Sequence, residues 1–444
     1  MLKISRTTLL TVVLTLGVVT VQAMEMDNAA DFTLPSVPNG GPKAFHFLST
    51  LFVLLILQSF ATVLTFAERQ HSASFLQCVT LGYAVFEALF LRFPDADGVE
   101  NRTSRGTAWF LLILNSVTVF FALLNSSSSF LLSSEGKPGL KWIARLSERG
   151  LKRIHKTLAF LLVLTGWVKT CLAPVALFGF CRDVHLGQCL AHGIMGSSFI
   201  IYGFVYALVL VLPHFRENPN HNQDWYDSCL MTAYGVVNTF TEHRFGQEWS
   251  HSDFQHTSMG IIWWCGGMLG LFFTRNGERS WIPSMLIMFT GWAMSEHSQQ
   301  LMISTKIHYV FGLSLMLGAL CRIIEISVLL KDERNAGRGK IYTFQYLSPF
   351  FLILAGVLFM GANEQQLELV VALGSDHGAY TLTITSCAFL ILLWILVLLE
   401  VYQRLTYRSG DAAVFGENSK YQDLRQDDSG ANGSTEFELD NFQD

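Results

Sequence analysis

Glutamate and histidine stand together twice in the second half of this sequence, each time at the end of an apolar stretch. Phe240-Thr241-Glu242-His243 is followed by a turn and then Phe254-Gln255-His256, and Met294-Ser295-Glu296-His297 by a turn and then Lys306-Ile307-His308. Two helical hairpins would each present a Glu-His pair and a second histidine at one depth, as an internal repeat does. Four imidazoles and two carboxylates could hold a divalent metal such as zinc or copper, for which imidazole is a suitable ligand. His243, His256, His297 and His308 are then ligand candidates, with Glu242 and Glu296 as ligands, orienting groups or proton acceptors. The same groups could instead form a hydrogen-bonded cap over the two hairpins, with Gln255, Gln299 and Gln300 as partners. Both readings stand.

A second set of histidines lies in the first half. His46 and His192 open two apolar stretches from one side, and His71 and His155 open two from the other. A two-haem transmembrane cytochrome needs such pairs, because each haem b iron takes one axial imidazole from each of two helices. Histidines at the outermost turn can also simply anchor a helix at the interface. Lys169 and Glu87 lie deeper, and a contact between them would be a buried ion pair, which is costly in a membrane.

These positions are held by an all-α framework. Apolar residues make up 51% of the 444 positions and charged residues 15%, a composition displaced from soluble averages in the membrane direction. No basic patch stands apart from the loops, which argues against a nucleic-acid partner. Runs able to cross a hydrocarbon core of about 30 Å at about 1.5 Å per residue fall near 44–66, 73–92, 107–131, 157–178, 190–212, 226–242, 255–274, 281–297, 307–330, 344–362 and 380–402. The expected fold is thus a polytopic transmembrane helix bundle of about eleven spans. The sixth and eighth are short and the most polar.

Lys3 and Arg6, an apolar run from Leu9 to Val21 and Val21-Gln22-Ala23 describe a signal peptide over residues 1–23. Cleavage would leave a lumenal segment, 24–43, ahead of the first span. With that start, nineteen Lys and Arg residues face the cytosol and six face the lumen, as the positive-inside rule requires. The sequon at Asn101 then lies in the lumen, where a glycan can be added. Cys181 and Cys189 bracket a lumenal loop, where an oxidising milieu permits a disulfide. Residues 403–444 read as an acidic, disordered cytosolic tail. Within it Tyr421 and Leu424, in Tyr421-Gln422-Asp423-Leu424, have the spacing of an adaptor-binding sorting signal.

Two long runs, Gly235 to Arg244 and His251 to Trp264, together with Phe289 to His297 and Arg322-Ile323-Ile324-Glu325-Ile326, resemble the fungal Ytp-type multi-pass membrane proteins. Cys189-Leu190-Ala191-His192, Gly196 and Tyr202-Gly203 extend the likeness toward the N-terminus. The resemblance implies a Golgi or related membrane setting and hands over no chemical activity. It divides the membrane part into a five-helix region, 44–212, similar to two-haem cytochromes b, and a six-helix Ytp-like region, 213–402. Where the cytochrome-like pattern carries a histidine before the third span, Asn101 to Gly106 has none.

Two functional expectations follow. In one, the bundle binds haem or a metal ion and moves electrons or ions across a secretory-pathway membrane. In the other, it is a Golgi anchor whose basic loops and acidic tail recruit a cytosolic protein. Nothing resembles a nucleotide-binding loop or a hydrolase triad.

Overall fold

The computed structural model describes residues 40–92, 102–126, 148–181, 185–216, 221–243, 246, 248–296, 299, 301–330 and 341–407. The expected signal peptide, Asn101, His297, Gln300 and the tail beyond Tyr407 with Tyr421 and Leu424 lie outside them, while residues 403–407, expected in the tail, end the last helix. Eleven long helices follow one another in antiparallel order among the described residues: α1 Gly40–Phe66, α2 Gln70–Phe90, α3 Arg102–Ser126, α4 Glu148–Phe178, α5 Leu186–Val211, α6 Gln223–Thr241, α7 His251–Thr274, α8 Ile282–Ser295, α9 Met302–Leu329, α10 Leu347–Gly361 and α11 His377–Tyr407. No strand occurs among these residues. The end of the bundle where α1 begins is called the near end below, and the opposite end the far end.

Nine of these helices are long and apolar enough to cross a bilayer, and the chain is a polytopic membrane protein. α8 is apolar, but its 14 residues rise only about 21 Å. α6 has 19 residues but begins with Gln223 and Asp224 and carries Asp227. α6 and α8 correspond to the two spans that are weakest in the sequence.

Lipid-facing apolar side chains leave the interior to packing and polar contacts, since hydrocarbon tails offer no hydrophobic gain for helix association. α10 is the central helix, with 67% of its apolar window enclosed. Around its Ile353, Ala355 and Leu358 the α9 residues Phe311 and Leu315 and the α5 residue Ala207 form the main core. Close backbone approach makes this possible. A Cβ at Gly196 of α5 would meet the Gly356 carbonyl of α10, and a Cβ at Gly356 would meet the Gly196 carbonyl. Gly291 of α8 and Gly312 of α9 face each other in the same way.

The first four helices form their own four-helix unit. Leu54, Leu111 and Leu162 fill its centre. α1 contains a π turn over Leu51–Leu57, and Gly166 of α4 lies against the carbonyl of Leu54, where any side chain would collide. The turn into α2 is tight, and Glu68 takes a left-handed φ of 59°. Its carboxylate reaches Lys156 at 3.1 Å and Lys152 at 3.6 Å on α4. The hydrogen bond from Lys156 holds that carboxyl below its ordinary range.

Candidate functional site

α2 carries a polar stripe at helical spacing. Ser74, Gln77, Thr80 and Glu87 are all buried, while Phe75, Val79, Phe86 and Phe90 face outward. Intervals of three, three and seven residues keep one face toward the other helices. Tyr83 continues the stripe and is half-buried. From His71 to Glu87 the helix rises about 24 Å, most of a hydrocarbon core.

From Gln77 to Glu87 each level of this stripe meets polar groups of α1, α3 or α4, whereas the buried Ser74 hydroxyl has no hydrogen-bond partner among the described residues. At the near end Lys169 of α4 and Glu87 form an ion pair of 2.9 Å, with side chains only 5% and 3% exposed. His46 of α1 places Nε2 3.3 Å from the same carboxylate oxygen and Nδ1 3.1 Å from the Tyr83 hydroxyl. Thr50 reaches that hydroxyl at 3.1 Å. One helical turn further, Thr80 lies 3.0 Å from Gln58 Oε1 and 3.1 Å from Asn115 Oδ1.

Toward the far end, Gln77 donates from Nε2 to Thr65 at 3.2 Å and accepts at Oε1 from His155 Nε2 at 2.9 Å. An amide oxygen can only accept, so His155 carries its proton on Nε2. Its Nδ1 then faces the Asn125 amide at 3.4 Å. His71 is more exposed and meets the Ser126 hydroxyl at 3.3 Å.

The four cytochrome-type histidines therefore have protein partners. His46 belongs to the Glu87 cluster, His155 to Gln77 and Asn125, and His71 to Ser126. His192 lies elsewhere: its Nδ1 donates to the Gln188 carbonyl at 2.8 Å, and its ring stacks on Phe359 with centroids 4.5 Å apart.

The near-end hairpins cross the pairs that are adjacent in sequence. Glu242 bonds His256 at 3.1 Å, and His243 bonds Asp253 at 3.2 Å and stacks on Trp249. Asp253 also completes a capping box with Ser250 at the start of α7. Gln255 reaches across to the Ala293 carbonyl of α8 at 3.1 Å. The second hairpin is built differently. Glu296 is exposed at the end of α8, and His308 donates from Nδ1 to the Ser304 carbonyl at 2.8 Å, its ring edge-on to His192 with centroids 5.9 Å apart. No three His, Cys, Asp or Glu side chains converge as a metal group among the described residues. Cys181 and Cys189 are joined at this end, with Cα atoms 5.4 Å apart.

A charged hub that the sequence reading did not single out as a site lies at the far end. Arg322 of α9 bonds Asp224 of α6 at 2.9 Å and Glu325 at 2.8 Å. Gln345 donates to Glu325 at 2.7 Å, and Arg279 stands 3.9 Å from Asp224. Tyr202 and Tyr206 of α5 donate to the two oxygens of Asp227, the latter at 2.8 Å. All of these charged side chains are 8% exposed or less. The available signal was Asp224 and Asp227, three residues apart at the start of a helix in a membrane bundle, where a buried carboxylate must have a partner.

Residues 165–403, more than half of the chain, match the family model described as Protein YTP1-like, C-terminal. Protein YTP1 of Saccharomyces cerevisiae is 54% identical over 421 residues, which cover 94% of this chain and 89% of that protein. The chain belongs to the YTP1 family. Two uncharacterized membrane proteins are more distant from this YTP1-family chain. One, from Schizosaccharomyces pombe, is 26% identical over 48% of the chain and 51% of its own length. The other, from Saccharomyces cerevisiae, is 26% identical over 36% of the chain and 29% of its own length. No solved structure matches. The family match starts inside α4, so it takes in Lys169, the near-end hairpins and the far-end hub, whereas α1 to α3 precede it.

Proposed function

We propose that this YTP1-family protein conducts protons across a secretory-pathway membrane, the Golgi above all, through its first four helices. The observation that carries this reading is the polar stripe of α2, met at Gln77, Thr80, Tyr83 and Glu87 by side chains of α1, α3 or α4. Ionisable and hydrogen-bonding groups at membrane depth are costly, and chains of Glu, His and hydroxyl groups serve as proton relays in pumps and transporters. Glu87, paired with Lys169 and His46, accepts the proton at one end, and His155 passes it on at the other. Side-chain hydrogen bonds are interrupted between Tyr83 and Thr80 and again between Thr80 and Gln77, each time by three residues, a rise of about 4.5 Å that one ordered water bridges.

Purified protein in vesicles holding a trapped pH dye tests this, with a potassium diffusion potential as the driving force. Wild type should acidify or alkalinise the lumen with the sign of the potential. Glu87→Gln should slow the flux about tenfold or more, in keeping with the weight of a positioned proton-transfer group. Rates equal to those of protein-free vesicles sink the proposal. A reduced-minus-oxidised Soret band in the same preparation, lost in His46→Ala plus His155→Ala, would return the four helices to the haem reading and replace proton conduction by electron transfer.

The lumenal start rests on the signal-peptide pattern and on the excess of Lys and Arg in alternate loops. In cells, a glycan should be found on Asn101 and never on the chain's own sequon Asn432-Gly433-Ser434. Glycan on Asn432 would invert the orientation.

A further inference from the structure

The far-end hub holds three buried carboxylates, Asp224, Asp227 and Glu325, against two guanidiniums, Arg279 and Arg322. The carboxylates are not equivalent. Asp224 has Arg322 at 2.9 Å and Arg279 at 3.9 Å. Glu325 has Arg322 at 2.8 Å and the Gln345 amide at 2.7 Å. Asp227 takes its hydrogen bonds from two phenols, Tyr202 and Tyr206. Asp227, 3% exposed, is thus the hub carboxylate with no direct ion pair among the described residues; Arg322 acts on it only from beyond contact distance, and the surplus negative charge of the hub falls there. A buried charge without a counter-charge is expensive enough that such groups take on a compensating cation or a proton.

A second observation lies beside it. A cavity of about 30 Å³ is lined by Asp227, Tyr202, Tyr206 and Arg322, with Ser284, Ser314 and Ser348 also in its wall. That volume suffices for one or two waters. Arg322 is 4% exposed, and its Nε–H has no hydrogen-bond partner among the described residues although both of its terminal nitrogens are engaged.

We propose that Asp227 is an exchangeable proton site, loaded through the cavity water. A hydronium ion at that water gives its proton to the carboxylate, leaving neutral water and a neutral carboxylic acid, and no other reactant is consumed. The facing groups on every packed element fit a single uptake. Tyr202 and Tyr206 from α5 donate to Asp227, Asp224 from α6 is held by Arg322, and Glu325 from α9 is held by Arg322 and Gln345. A metal cation would have to sit beside the Arg322 guanidinium, which repels it, whereas a covalently bound proton on Asp227 removes the surplus charge without adding one. The site is separate from the α1–α4 path and stands if that path carries no protons.

Infrared titration of the full chain in lipid, without any driving force, is the test. Wild type should gain a protonated-carboxyl band reversibly as pH falls, and Asp227→Asn should lose that band together with one proton of uptake per chain. A band of equal size in Asp227→Asn overturns the assignment. So does a wild-type band that sodium abolishes at fixed pH, since the site would then take a metal ion. Tyr202→Phe plus Tyr206→Phe keeps the carboxyl and removes the donors that favour its charged form. Its band should appear at higher pH, and an unmoved midpoint counts against the proposal even if Asp227→Asn fails to fold.

Discussion

Lys169→Met should destabilise the protein by roughly 3–5 kcal/mol, the usual cost of stranding one member of a buried ion pair. Glu87 and Lys169 are 3% and 5% exposed and 2.9 Å apart, so the carboxylate left behind has neither water nor its cation. His46 at 3.3 Å can take a proton and offset part of the loss, so the variant should survive better in mild acid than at neutral pH. Adding Glu87→Gln removes the stranded charge. The double variant should recover most of the loss, because replacing both members of such a pair is often close to neutral. The midpoint of thermal unfolding in one detergent, compared over the two single variants and the double, measures this. Equal losses in the single and double variants would mean that the two side chains act only through shape.

Arg322→Met should be more damaging still, with a loss of about 5 kcal/mol or more, because one substitution strands two carboxylates. The guanidinium uses separate nitrogens for Asp224 and Glu325 and lies 5.6 Å from the Tyr206 ring. A lysine has one compact ammonium and cannot span both acids, so Arg322→Lys should rescue little. The fraction of protein that stays monodisperse after extraction reports the effect. Arg322→Met together with Asp224→Asn and Glu325→Gln should restore it.

These two centres were unequally legible in the sequence. Lys169 and Glu87 stand in the interior of otherwise apolar runs, where any charge draws notice, and only their contact had to await the structure. Arg322 and Glu325 were visible as part of a family-like motif, but their partners were not. Asp224 sits at the first turn of α6, the least apolar of the long helices, and reads as loop chemistry until α9 is seen to end beside it. Nine of the eleven helices follow from apolar length, which local sequence carries well. Side-chain pairing across helices does not. Glu242 and His243 are neighbours in sequence and point to different partners, His256 and Asp253, because adjacent helix residues face about 100° apart. Likewise His308 repeats the place of His256 in sequence, yet packs on His192 of α5, a helix outside either hairpin.

The π turn of α1 bears on how the four-helix unit keeps time along its length. Thr50 and Gln58 both face inward, although eight residues separate them. On an unbroken α-helix the second would lie about 80° out of phase with the first, aimed toward lipid. The wider turn over Leu51–Leu57 absorbs the surplus residue, and Gln58 returns to the row shared with Thr80. Gly166 is the complement of that insertion, leaving room for the displaced Leu54 carbonyl. Deleting one residue from this segment and straightening the helix would leave the inward row in phase, and position 166 would no longer need to be glycine.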